Sequence, residues 1–255
     1  MSSGSKKIVV VGIISNALVT IIKFISAFVV SSASMMNEAI HSMMDTLNQV
    51  FLLFGLIAGE KQPNQDYAFG HHQKKFIWNL WSAIGLFSIG SGLGLYHAYH
   101  SYITMGDGAA KVSSINIFSI DISGITLAFV VLVVSFFIEG NAWRVAFKEY
   151  RQRTENVETS LLQYVSEAKD PTLVAMILED SIAMFGIFLA IIGITLSYLS
   201  SNPFWDILFS SLIAILLGVA AVFLGRVNMI YLSDIRHQEI ENNFIKICSE
   251  HDEVE

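Results

Sequence analysis

Six long, nearly continuous apolar stretches dominate this sequence and restrict what it can fold into. A helix needs roughly 20 apolar residues to cross a hydrocarbon core about 30 Å thick, and every stretch reaches that length. The stretches lack the period-2 alternation of a transmembrane β-barrel, so each is predicted to be a helix that closes its backbone hydrogen bonds internally. They cover about residues 8–31, 34–58, 77–102, 119–142, 171–198 and 203–226.

The composition excludes most classes of soluble protein. Of 255 residues, 53% are hydrophobic and 15% are charged, whereas soluble domains carry roughly a quarter charged residues. Lys and Arg number 15 against 22 Asp and Glu, and this acidic balance argues against a nucleic-acid partner. The one cysteine, Cys248, excludes a disulfide scaffold and a Cys-based zinc cluster. The chain is therefore predicted to be an all-α, multi-pass integral membrane protein in a lipid bilayer.

The distribution of positive charge predicts the orientation of the spans. The N-terminus, the second loop, the fourth loop and the tail hold 13 Lys and Arg residues, whereas the other three loops hold only Lys111. By the positive-inside rule, both termini are predicted to be cytoplasmic. We expect a membrane domain over residues 1–232 and, over 233–255, the start of a cytoplasmic tail or of a truncated C-terminal domain. The expected location is a bacterial inner membrane.

Several ionisable side chains lie inside the predicted spans. A charged group at the bilayer centre costs about 2.5–3.5 kcal/mol on insertion scales. The cost of placing several such side chains there must be offset by a favourable interaction. A divalent cation would do so for several carboxylates at once. The residues concerned are Glu38, His41 and Asp45 in the second span, Glu139 in the fourth, and Glu179 and Asp180 in the fifth.

The second span carries the most informative pattern. Glu38, His41, Asp45 and Asn48 fall within one helical face about 80° wide. His41 and Asp45 are four residues apart, which lets an imidazole nitrogen and a carboxylate oxygen reach one metal ion at ~2.0–2.2 Å. The alternative is a polar seam that only joins helices. Four polar groups, two of them carboxylates, favour an ion site.

The fifth span brings acidic groups to a similar depth. Glu179 and Asp180 are neighbours whose side chains point about 100° apart. Only one of them is therefore expected to face the metal ion that His41 binds. Asp180 and Asp45 reach similar heights in the membrane once helix tilt is allowed for.

The remaining candidates are weaker. Glu139 either supports the ligands or pairs with Lys23 of the first span. Asp66, His71 and His72 of the second loop form a candidate cytoplasmic loading site for cations, with a merely solvated loop as the alternative. Asp206, in the first turn of its span, is explained by the helix dipole.

Together these features resemble the cation diffusion facilitator family. The resemblance covers about residues 8–245 and rests on six spans, on His41 and Asp45, on a Phe-Gly-His run at 69–71, and on Asp180. It implies a homodimeric exporter of zinc, manganese or iron that works by proton antiport. It also implies a tetrahedral transport site between the second and fifth spans, which carries over to His41, Asp45 and Asp180.

Two departures from the family pattern stand out. Met176 occupies the position four residues before Asp180 where the family has His or Asp, and methionine is a poor ligand for Zn²⁺ or Mn²⁺. The Glu-His-Asp pattern of the second span and the Glu-Asp pair of the fifth look like the branch of the family that contains the mitochondrial zinc transporter. The fourth ligand is then expected to be Glu179, with Glu38 as the second choice and Glu139 as the third. The cytoplasmic domain of the family is not present beyond its expected first helix, so either dimerisation rests on the membrane helices or the true chain is longer.

The expected function is export of Zn²⁺ from the cytoplasm in exchange for H⁺ by alternating access. The chain is not expected to be an enzyme, and Zn²⁺ is a substrate rather than a cofactor. One imidazole with carboxylates suits Zn²⁺ but also admits Mn²⁺, Fe²⁺ or Co²⁺. Two alternatives remain, a non-transporting membrane subunit and an intramembrane zinc hydrolase. The hydrolase is disfavoured because the sequence has no His-Glu-x-x-His motif.

Overall fold

The computed structural model describes residues 3–68, 70–71, 73–105, 114–117, 120–153, 171–232 and 245–248. Six helical spans within these residues are long and apolar enough to cross a membrane, which confirms the all-α membrane fold. The first two are α1 and α2, the third is built from α3 and α4, and the last three are α5, α6 and α7. Their bounds are Ser3–Val30, Ala33–Gly59, Lys74–Trp81, Phe87–Ile103, Gly124–Arg153, Pro171–Ser200 and Phe204–Leu232.

Two local features depart from the predicted pattern. A π-helical turn over Ser82–Leu86 joins α3 to α4 within the third span. Before α5, strands β1 (Ser114–Ile117) and β2 (Ile120–Ser123) pair as an antiparallel ladder. The fourth span was predicted to begin at residue 119, but β2 occupies its first residues and α5 continues to Arg153. The described part of the predicted tail is one helical turn over 245–248, and the rest of 233–255 lies outside the described residues.

Tight turns connect the spans at one end of the bundle. Ser31 (φ 54°) and Ser201 (φ 51°) adopt left-handed backbone conformations between α1 and α2 and between α6 and α7. Ser32 caps α2 by accepting a hydrogen bond from the Met35 amide. The Asp206 carboxylate of α7 accepts hydrogen bonds from the amides of Ala33 (2.6 Å) and Ser34 (3.2 Å). Asp206 therefore stabilises the N-terminus of α2 rather than only that of its own helix.

The helix α2 lies at the centre of the bundle. It contacts α1, both parts of the third span, α6 and α7. Its buried face is polar, with Asn37, Glu38, His41 and Asn48 all withdrawn from the surface. Large apolar side chains such as Phe28, Phe137 and Val222 are instead exposed on the outside. Buried polar groups inside the bundle and apolar side chains on its outside are what a helix bundle in a lipid bilayer requires.

Apolar clusters bracket the polar interior. One cluster includes Met35, Leu132, Ile187 and Ile213, near the end that carries the tight turns. Another includes Tyr150, Val174 and Val227, towards the opposite end. The polar side chains of α2 therefore occupy a layer between two zones of close apolar packing.

Gly186 of α6 lies against the Glu38 carboxylate of α2. A Cβ atom at this position would overlap Glu38 Oε1, and the Glu38 side chain is fully buried and paired with Lys23. Because this paired carboxylate would have to move, we expect Gly186→Ala to lower stability by about 1–3 kcal/mol. The measurement is the midpoint of thermal unfolding in detergent.

The matched control for this prediction is Gly92→Ala in α4. A Cβ at position 92 would meet no heavy atom within 4 Å, and alanine favours a helix over glycine by roughly 0.5–1 kcal/mol. The control should unfold at the wild-type temperature or slightly above it. If Gly186→Ala behaved like this control, the close approach of the two helices would be wrong.

Candidate metal centre

The side chains of His41 and Asp45 face one another on α2. His41 Nε2 lies 3.2 Å from Asp45 Oδ2, and the two side chains are 2% and 18% exposed. Neither His41 Nε2 nor Asp45 Oδ1 makes a hydrogen bond, so the pair is close but not aligned as donor and acceptor. The predicted i,i+4 stacking brings the two groups together, as the residue spacing requires.

The separation of these two atoms fits a shared metal ion. Two ligand atoms at ~2.0–2.2 Å from a tetrahedral Zn²⁺ lie about 3.3–3.5 Å apart, and the observed distance is 3.2 Å. His41 Nε2 and the other carboxylate oxygen, Asp45 Oδ1, are buried and make no hydrogen bond. The pair can therefore accept a cation without first breaking bonds of its own.

Glu38, one turn before His41, has a partner of its own. Its Oε2 atom lies 3.3 Å from Lys23 Nζ of α1, and both side chains are 0% exposed. Lys23 also donates a hydrogen bond of 2.6 Å to the hydroxyl of Ser42. The second carboxylate oxygen, Oε1, has no hydrogen-bond partner. The Glu38 carboxylate is thus neutralised by a lysine on the neighbouring helix, which leaves one oxygen free.

Glu179 of α6 is bound by Asn48 of α2. The Asn48 amide nitrogen donates to both carboxylate oxygens at 2.9 Å. The Ser82 hydroxyl, at the start of the π-helical turn, donates in turn to Asn48 Oδ1. Ser82 and Asn48 are both buried. This chain of hydrogen bonds links the second, third and fifth spans at one level of the bundle.

Asp180 and Glu139 are both partly buried. Over the described residues, no three His, Cys, Asp or Glu side chains converge closely enough to hold one metal ion. Of the predicted ligands, this conformation brings His41 and Asp45 together and does not gather Glu179, Asp180 or Glu139 around them.

The candidate loading site of the second loop is not assembled in the same way. Asp66 is exposed, whereas His71 is buried and packs against the Tyr67 ring in a tilted arrangement with 4.2 Å between centroids. Burial lowers the pKa of His71, and the nearby Lys74 and Lys61 lower it further. Its Nδ1 atom makes no hydrogen bond. Phe69 and His72 lie outside the described residues, and the loading site stays a prediction.

Sequence reasoning missed the roles of three polar residues. Asn48 was placed on the polar face without a partner, Ser82 was not singled out, and Lys23 was not assigned to Glu38. The signal for Lys23 was available, since a lysine inside an apolar span needs an anionic partner. Nothing in the sequence identifies the π-helical turn that directs Ser82 at Asn48.

Comparison with known proteins shows the relationships of the chain. The profile of the cation efflux transmembrane domain matches residues 9–233. The mitochondrial proton-coupled zinc antiporter SLC30A9 is 31% identical in Mus musculus and 32% in Homo sapiens, each over 221 residues, which is 87% of this chain and 36% of the relative. Metal tolerance protein C4 of Arabidopsis thaliana is 30% identical over 220 residues, 86% of this chain and 45% of that protein.

The chain therefore spans between about a third and a half of the length of these curated relatives. The match to the family profile nevertheless runs through all six spans and includes His41 and Asp45 of α2. On this ground the chain is a member of the cation efflux family, also called the cation diffusion facilitators.

Proposed function

We propose that this chain exports Zn²⁺ from the cytoplasm in exchange for protons. Membership of the cation efflux family supports transport of a cation. The printed names of its relatives, a proton-coupled zinc antiporter and a metal tolerance protein, support a divalent metal. The observation that carries the proposal is the His41–Asp45 pair, in which His41 Nε2 lies 3.2 Å from Asp45 Oδ2 and neither His41 Nε2 nor the other carboxylate oxygen, Asp45 Oδ1, makes a hydrogen bond.

The transported ion binds first at His41 and Asp45. Asp180, with Glu179 or Glu38 as the further acidic ligand, completes the site when the fifth span moves against the second. These ligands bind metal in their deprotonated forms, and so loading displaces protons and protonation on the far side expels the metal. Because imidazole titrates near neutral pH, His41 serves as both ligand and proton carrier. The alternating movement of helices exposes the same site to either side of the membrane.

Zn²⁺ is favoured over its neighbours by the imidazole ligand. Mn²⁺, Fe²⁺ and Co²⁺ remain alternative substrates for such a nitrogen and oxygen site. In a non-transporting subunit, the buried atoms His41 Nε2 and Asp45 Oδ1 would have no binding partner. Family membership favours transport over hydrolysis. We further propose a homodimer formed through the membrane helices, with both termini in the cytoplasm of a bacterial cell.

Uptake of Zn²⁺ by proteoliposomes with an acidic lumen tests this function. We expect uptake that stops when an ionophore collapses the proton gradient, because metal and protons compete for the same ligands. Vesicles without protein and vesicles without a gradient are the controls. Uptake that ignored the gradient would contradict antiport, and uptake of Mn²⁺ in place of Zn²⁺ would overturn the choice of metal.

A further inference from the structure

We propose that Asn48, oriented by Ser82, is a positioning residue that holds Glu179 away from the metal pair while the site is empty. The inference rests on the proposed function and assigns a step within it. On loading, Glu179 leaves Asn48 and becomes a ligand, and on release it returns. Asn48 therefore lowers the affinity for the metal and helps the protein to release it.

The geometry of Asn48 and Glu179 is that of a bound carboxylate. One amide nitrogen donates to both oxygens at 2.9 Å, and Asn48 is 5% exposed. A hydrogen bond to an ionised group is stronger than one between neutral groups. The contact therefore holds the Glu179 carboxylate at Asn48.

Ser82 fixes the direction of the amide. Its hydroxyl donates to Asn48 Oδ1, which engages the amide oxygen while the amide nitrogen points at Glu179. Ser82 is fully buried and begins the π-helical turn at Ser82–Leu86. Such turns reposition side chains within a helix and are frequent at functional sites. The distortion of the third span thus has a local consequence, the placement of a donor for Asn48.

The distance from Asn48 to the metal pair is short. Asn48 follows Asp45 by three residues, which corresponds to about 4.5 Å along the helix axis. A change of side-chain rotamer in Glu179 covers a displacement of this size. No group of three ligands is assembled among the described residues, so Glu179 has to move to reach the pair. Glu179 is therefore close enough to join the pair and is kept from it by Asn48.

Zn²⁺ binding to the purified full chain tests this proposal by competition with a chromogenic chelator at pH 8. Asn48→Leu keeps the size of the side chain but removes its donor. We expect its dissociation constant for Zn²⁺ to fall about tenfold, equivalent to about 1.4 kcal/mol. Ser82→Ala should shift affinity in the same direction by less. In the flux assay, Asn48→Leu should lower the KM and the maximal rate together, because release becomes slower.

The coupled variant separates this role from a structural one. In a Glu179→Gln background, which should bind Zn²⁺ more weakly than wild type, adding Asn48→Leu should not tighten binding. Unchanged or weaker binding by both Asn48→Leu and Ser82→Ala would overturn the proposal, as would equal tightening with and without Glu179. If the wild-type chain bound Zn²⁺ but the variants did not tighten, the antiporter would stand and this role would fall. If the wild-type chain bound no Zn²⁺, both would fall.

Discussion

Replacing Asp45 with asparagine is expected to lower Zn²⁺ flux into acid-loaded proteoliposomes by at least about a hundredfold. Residues that only support the ligands of a metal typically contribute 10- to 100-fold to affinity or activity, and Asp45 is expected to be a ligand itself. Its carboxylate lies 3.2 Å from His41 Nε2. Asparagine keeps the shape but removes the negative charge that a divalent cation requires. The measurement is the initial rate of Zn²⁺ uptake at equal protein loading.

Asp66→Asn is the matched control for Asp45→Asn. It makes the same chemical change on an exposed loop residue, where a carboxylate is solvated rather than withdrawn from water. We expect uptake at the wild-type rate. If Asp45→Asn transported normally, the pair on α2 would not be the transport site, and the polar face would serve helix association instead. If Asp66→Asn failed as well, the loop would have a part in loading that its exposure does not indicate.

Replacing Lys23 with methionine is expected to destabilise the whole bundle. The Lys23–Glu38 pair is 0% exposed on both sides, and removal of one partner leaves a buried charge without compensation. Such a change costs about 3–5 kcal/mol in soluble proteins, which corresponds to a fall of roughly 10 °C in the midpoint of thermal unfolding. Loss of the 2.6 Å hydrogen bond to Ser42 adds to this effect. The measurement is thermal unfolding of the purified protein in detergent.

The double variant Lys23→Met with Glu38→Gln distinguishes charge from packing. Because it removes both charges, it should recover most of the lost stability. Lys61→Met, a loss of the same charge in an exposed loop, should unfold at the wild-type temperature. If the double variant were no more stable than Lys23→Met, the ion pair would not be the source of the effect. That result would place the importance of Lys23 in its packing against α2.

Much of the fold follows directly from hydrophobic patterning. Each span was recognisable because a run of about 20 apolar residues is typical of a helix that crosses a membrane. The proline at residue 171 is the first residue of α6, a position that proline favours in helices. The start of α5 was predicted too early because Ile120 and Ile122 are as apolar as the residues of a membrane helix. Isoleucine also favours β-strands, and both residues belong to β2, which pairs with β1. Hydropathy cannot distinguish these two outcomes over a few residues.

The candidate site was predictable only within a single helix. The meeting of His41 and Asp45 follows from the helical repeat, because both residues belong to α2. Contacts between helices, such as Lys23 with Glu38 and Asn48 with Glu179, depend on helix rotation and depth, which a single sequence does not encode locally. Asp206 is a further example. Its position in the first turn of α7 was explained by the dipole of that helix, but its carboxylate accepts hydrogen bonds from two amides of α2, a contact between helices.

The close approach of Gly186 to Glu38 makes the identities of two distant positions depend on one another. The space that a side chain at 186 would need is already filled by the Glu38 carboxylate. Among relatives that share this packing, a larger residue at the position of Gly186 should therefore accompany a shorter one at the position of Glu38. The lysine that pairs with Glu38 should then change as well, because a shorter acid would no longer reach it. Residue identities on three helices would thus change together during evolution, through a contact in which one partner has no side chain.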